Sequence, residues 1–389
     1  MDYIIRLVSL LVILSYPAIL SAQKRGNVWC FGHHAAIDFN GPIPVNDTSA
    51  LISRGSCASI CDTSGQLLFY VGYDDDPYTI MGPSFQNGEI FNTNHTIMEN
   101  GDSLVMAGWY YETVIVPHPG NDSLYFVFST NITGNSIKGL YHSLVNIKAN
   151  NGLGSVIQKN IQLQNFKTLD CLTAIKHGNG RDWWVFNRKR EDVSGNSNDE
   201  YYSYLISPTG ISPVNIQHIG WQVISGFGNI EFNSDGSKMM YSNLGGLMEL
   251  FDFNRCNGLL SNVQNIYQEE PFTLKRFWDG QFSPSGKYFY VTTSWDTSRL
   301  IQYDLQAANI ASSADTLWQT NTNINQFGHL KLAPDGKIYL STYYNGTQFP
   351  YPYTDTMYTT YNTYLSVINQ PDSGGTACDF QPYSFYLGG

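Results

Sequence analysis

Five polar side chains recur along this sequence at intervals of about 50 to 60 residues: Glu112, Asp170, Asn229, Asp279 and His329. Phe227, Trp278 and Phe327 stand within two positions of the last three. Carboxylate and amide oxygens are the hard donors that calcium takes, and an imidazole beside them suits general-base work. The same polar groups in an aromatic frame are also the composition of a ligand pocket. Residues so far apart in the chain meet only if the fold itself repeats.

It does repeat. Asp62-Thr63-Ser64-Gly65 precedes Leu67-Leu68-Phe69-Tyr70, and a comparable turn signal precedes a short aromatic or β-branched run at Gly120, Gly180, Gly236, Gly286 and Gly336. Counted from Gly65, these glycines stand 55, 60, 56, 50 and 50 residues apart. Such a period marks a repeat fold whose unit is a four-stranded antiparallel blade. Asp, Asn, Ser, Pro and Gly serve hairpin turns by presetting φ, bonding the local backbone and tolerating positive φ. The reading is all-β: a seven-bladed β-propeller over residues 23–389. Six blades follow the turns, and a seventh closes the ring by joining Val28–Phe31 and Ala36–Phe39 to the C-terminal Phe380–Leu387. A shared blade leaves no unpaired strand edge. Cys30 and Cys378 then fall in one blade, and a disulfide between them would staple it.

In a propeller the segment entering each innermost strand lies at the mouth of the central channel. The window seven to ten residues before each anchor glycine therefore selects Ser56 and Cys57, then Glu112, Asp170, Phe227, Asn229, Trp278, Asp279, Phe327 and His329 as the candidate ligand-binding ring.

Composition narrows the partner. With 21 Lys+Arg against 32 Asp+Glu and a net charge of −11, nothing offsets phosphate repulsion, which excludes nucleic acid. Arg6, the apolar run Leu7 to Leu14 and the small residues Ser21-Ala22 have the order of a secretory signal peptide over residues 1–22. Export without a later membrane span follows as the expectation, with six cysteines in a disulfide-permissive compartment. Cys57 and Cys61 share one strand about 13 Å apart at the usual rise, too far to pair with each other. Arg188-Lys189-Arg190 followed by Glu191-Asp192 reads as an exposed mixed-charge loop running to about Tyr201. Asp74-Asp75-Asp76-Pro77 reads as a solvated turn, and His33-His34 as ordinary hydrogen-bonded histidines. Segments 73–85, 191–200 and 343–361 are longer than hairpins require and rich in Tyr, Pro, Asn and Gly, a composition suited to recognition.

Asn27-Val28-Trp29-Cys30-Phe31-Gly32, Ala36-Ile37-Asp38-Phe39-Asn40, Cys57-Ala58-Ser59-Ile60-Cys61-Asp62 and Asn94-His95-Thr96-Ile97-Met98-Glu99-Asn100-Gly101 together resemble a family of exported Bacteroidetes propellers. Val114-Ile115-Val116-Pro117-His118-Pro119-Gly120-Asn121, Lys331 to Tyr339 and Leu365 to Asn369 extend the likeness over essentially the whole mature chain. Members often end in a gliding-motility or type IX secretion sorting domain. Here Phe91 replaces the usual Trp, and no sorting domain follows. The resemblance implies secretion and a propeller but no catalytic residues. The expectation is a monomeric, non-catalytic binding propeller, extracellular, at the cell surface or periplasmic, that recognises a glycan or an extracellular protein without a cofactor. The alternative, by likeness to propeller lactonases, is a calcium-assisted lactonase or esterase at the channel mouth.

Overall fold

The computed structural model describes residues 24–53, 55–73, 87–106, 108, 110–131, 137–190, 198–223, 227–268, 276–294, 297–320, 325–344 and 360–388. Seven small antiparallel sheets stand in a ring, the seven-bladed β-propeller that the period of turns predicts. Blades 1 to 7 occupy residues 28–52, 57–91, 113–162, 173–223, 228–268, 277–320 and 325–386, with three, three, four, five, four, four and four strands among the described residues. The first strands of blades 2 to 7 line the centre, each touching the next: Cys57–Cys61, Thr113–Pro117, Thr173–Lys176, Gly228–Phe232, Phe277–Phe282 and Asn325–Leu332. Five of the six anchor glycines have positive φ, from +67° at Gly236 to +99° at Gly65, a region open to Gly at little cost.

The blades are held by apolar cores between neighbouring sheets, one for each of the seven junctions. Phe69 and Val71 of blade 2 meet Tyr125 and Val127 of blade 3, and Val116 and Phe128 of blade 3 meet Val185 and Tyr204 of blade 4. The pattern continues with Phe186 against Phe232 and Phe253, Met248 against Phe282 and Phe289, and Tyr290 and Leu300 against Phe327 and Leu340. Each such buried aromatic or aliphatic side chain contributes on the order of 1.5–3 kcal/mol.

Ring closure differs from the sequence expectation in one respect. Phe380–Tyr386 pairs with Tyr364–Ile368 as the outermost strand of blade 7, and blade 1 is built from Val28–Phe31, His33–Asp38 and Val45–Ile52 alone. Pro382 gives the reason, since a residue without N–H belongs on a sheet edge. Closure comes instead from packing: Trp29 and Phe39 of blade 1 lie 5.8 and 5.6 Å from the Tyr339 ring of blade 7. On the other side of blade 1, residues of the strand Cys57–Cys61 engage the edge of Val28–Phe31. Ser59 Oγ donates to Val28 O at 2.6 Å, and the Cys57 and Cys61 thiols accept from Gly32 N–H and Val28 N–H.

The proposed Cys30–Cys378 bridge falls with the shared blade. Cys30 lies in the core between blades 1 and 2, Cys378 in that between blades 6 and 7, and all six cysteines are free thiols. Arg188 also departs from expectation. It ends the strand Trp183–Arg188 fully buried, its guanidinium 4.6 and 4.4 Å from the Tyr201 and Tyr241 rings. Residues 1–22, Asp74-Asp75-Asp76-Pro77 and most of the three long loops lie outside the described residues. Among the described residues no helix is long and apolar enough to cross a membrane.

Candidate functional site

The three successive inner strands of blades 5, 6 and 7 place Asn229, Asp279 and His329 at matching positions, and the side chains join into one network at the channel mouth. Asp279 is its hub. This carboxylate, 1% exposed, accepts Gly280 N–H at 2.6 Å on Oδ1 and Leu330 N–H at 2.5 Å on Oδ2. It also takes a bond from Asn229 Nδ2 and lies 3.1 Å from His329 Nδ1. The same Nδ1 is 3.3 Å from the Tyr111 hydroxyl, which accepts from Asn229 Nδ2 at 2.9 Å and donates to Asp279. Burial first, and then the Asp279 carboxylate, hold the Tyr111 phenol well above its usual range. His329 keeps 38% of its side chain exposed, so the network ends at solvent through the imidazole.

Asp170 reaches the mouth from the segment entering blade 4. Its oxygens accept Tyr110 N–H at 2.8 Å and Tyr111 N–H at 2.5 Å. Burial pushes its carboxyl up to about 7, against the pull of those two N–H groups and of His329. Beside it a cavity of about 10 Å³ is lined by Tyr110, Tyr111, Phe227 and Trp278 together with Asp170, room for about one water molecule. Tyr110 and Trp278 meet edge to face, 4.5 Å between centroids. Deeper in the channel, Gln281 Nε2 donates to Glu231 at 2.8 Å while its Oε1 accepts Leu332 N–H at 3.1 Å. Burial raises the Glu231 carboxyl to about 8, although the Gln281 bond lowers it.

Of the sequence-predicted ring, Asn229, Asp279 and His329 form the network, and Asp170, Phe227 and Trp278 frame the cavity. Glu112 and Phe327 are fully buried. Glu112 donates its N–H to Ser56 Oγ at 3.0 Å, and Phe327 belongs to the core between blades 6 and 7. Tyr110 and Tyr111 are site residues that the sequence reading passed over, although they fall inside the same window before Gly120. Choosing the charged neighbour Glu112 over the two rings missed them.

Both oxygens of Asp170 and both of Asp279 already face N–H donors, and Asn229 turns its donor nitrogen toward Asp279. Among the described residues no group of three or more His, Cys, Asp or Glu side chains is placed to hold a metal ion.

No family model and no curated protein matches the chain. Solved structures similar to it include a Bacteroides fragilis protein provisionally described as a 6-phosphogluconolactonase, at 12% identity and TM-score 0.49 over 86% of this chain and 85% of that one. A Lactobacillus plantarum protein aligns at 12% identity and TM-score 0.46 over 86% of each chain. A Bifidobacterium bifidum protein provisionally described as an exo-β-1,3-galactanase aligns at 10% and 0.39 over 64% of this chain and 84% of that one. At such identities and scores they carry nothing about activity.

Proposed function

We propose that this chain is an exported, non-catalytic binding propeller that recognises a glycan or an extracellular protein at the channel mouth. The observation that supports it most is the partly exposed frame of Tyr110, Phe227 and Trp278 beside His329, set over a hydrogen-bonded polar floor. Rings with an apolar face and polar groups fixed by neighbours make contact area at little entropic cost. Apart from the buried Asn229 Oδ1, the floor is already bonded internally, so an incoming partner meets a largely preorganised surface. Export is supported by the order of residues 1–22, from Arg6 through the apolar run to Ser21-Ala22.

The test is a glycan array together with a pull-down from culture medium. Trp278→Ala should lower retention of whatever binds by about 30-fold, the loss of one aromatic anchor worth about 2 kcal/mol. No retained glycan or protein, or retention indifferent to Trp278, would end the proposal. A hydrolase is a second reading, favoured by the Asp279–His329 contact, which is how a carboxylate orients a general base. Turnover in an ester and lactone panel that is abolished by His329→Ala would establish it in place of the first.

A further inference from the structure

We infer that the cavity framed by Tyr110, Tyr111, Phe227 and Trp278 is a binding site for a primary ammonium group, with Asp170 as its counter-charge. The inference deepens the recognition reading of the mouth and rests on it. Ring faces are negative and attract a cation set within about 6 Å of their centroids. Five aromatic residues, Phe277 among them, line this space, and Asp170 lies in its wall. Asp170 accepts one N–H on each oxygen, which leaves each oxygen a further lone pair for a new donor. A hydroxyl group would gain a hydrogen bond there but no charge attraction, and an anion would meet the charge of Asp170.

Size then selects among cations. A volume of about 10 Å³ admits one water-sized group, the size of an –NH3+ head. Three methyl groups on the nitrogen exceed it. The three N–H donors of a primary ammonium also match the carboxylate, which a quaternary nitrogen cannot address.

Ligand-observed NMR titration of the full chain at about pH 8.5, above the value of about 7 to which burial raises the Asp170 carboxyl, with n-butylammonium, n-butyltrimethylammonium and 1-butanol at matched ionic strength, tests this. n-Butylammonium should saturate at a concentration at least tenfold lower than either of the others. Asp170→Asn and Trp278→Ala should each weaken it at least tenfold, while Trp318→Ala on the outer strand of blade 6 leaves it within twofold. Asp170 also holds the Tyr110 and Tyr111 backbone, so Trp278→Phe provides a second reading through an intermediate affinity. Equal binding of 1-butanol, tighter binding of the trimethyl compound, or indifference to Trp278→Ala would overturn the assignment. Glucosamine and Nα-acetyl-lysine amide then separate an amino-sugar source from a side-chain source, and failure of both to bind would also overturn it. If a retained glycan or protein is lost with Trp278→Ala while no amine binds, the mouth remains the recognition face and the ammonium assignment alone falls. If n-butylammonium binds as described but no macromolecule is retained, the site stands and the macromolecular reading falls.

Discussion

Replacing Asp279 by Asn should cost far more than an ordinary surface change, because one carboxylate ties together the inner strands of three blades. It serves Gly280 N–H in its own strand, Leu330 N–H in blade 7 and the Asn229 amide in blade 5. An asparagine side chain has one accepting oxygen, and its –NH2 would point at donors. Gly280 N–H and the Asn229 amide both bond Oδ1, so an oxygen kept there would still serve them, while Leu330 N–H, which bonds Oδ2, would lose its acceptor in a fully buried place. At about 1–3 kcal/mol for a buried unsatisfied group, the expected loss is about 2 kcal/mol. His329 would also lose its 3.1 Å contact with this carboxylate. Equilibrium urea unfolding followed by tryptophan fluorescence measures the loss, with Asp235→Asn as control. Asp235 sits exposed in a turn, where an Asn side chain can still accept Ser237 N–H, so that change should stay within about 0.5 kcal/mol. A loss below about 1 kcal/mol for Asp279→Asn would refute the hub role.

Stability should also fall as pH rises from 5 to 8. Glu231 and Asp170 have folded-state values raised to about 8 and about 7, so above about 4.5 the unfolded chain ionises them while the folded chain resists. Urea midpoints should therefore decline across that window, and Glu231→Gln should flatten the decline; a rising midpoint would contradict it. Trp29→Ala should cost about 3–5 kcal/mol if packing against Phe39 and Tyr339 closes the ring, whereas a loss under about 1 kcal/mol would point to another closure. Thiol labelling of the native protein should modify the exposed Cys256 first and reach Cys30, Cys61, Cys171 and Cys378 only on unfolding; a missing thiol in the denatured count would reveal a disulfide.

The ring was readable because a turn needs particular residues at a particular place: Gly65, Gly180, Gly236, Gly286 and Gly336 all take the positive φ that their sequence context predicts. The closure was not, because Phe380–Tyr386 has the same aromatic alternation whether it is an inner strand or an edge. Only Pro382 distinguishes the two. Arg188 was misplaced for a related reason, since charge in sequence marks solvent until aromatic partners appear from elsewhere, here Tyr201 and Tyr241. At the mouth, the recurrence of the period located Asn229, Asp279 and His329 together. Which of Tyr110, Tyr111 and Glu112 faces the cavity depends on how the chain turns into blade 3, and that turn is set by Asp170, far away in sequence.

Hydrogen-exchange footprinting of the chain, free and saturated with whatever glycan or protein it retains, tests recognition at the channel mouth most directly. Slowed exchange in peptides covering residues 108–112 and 276–280 is the predicted result. Protection confined to the outer strands, Ser155–Gln162 or Leu259–Gln268, with the mouth unchanged, would contradict it.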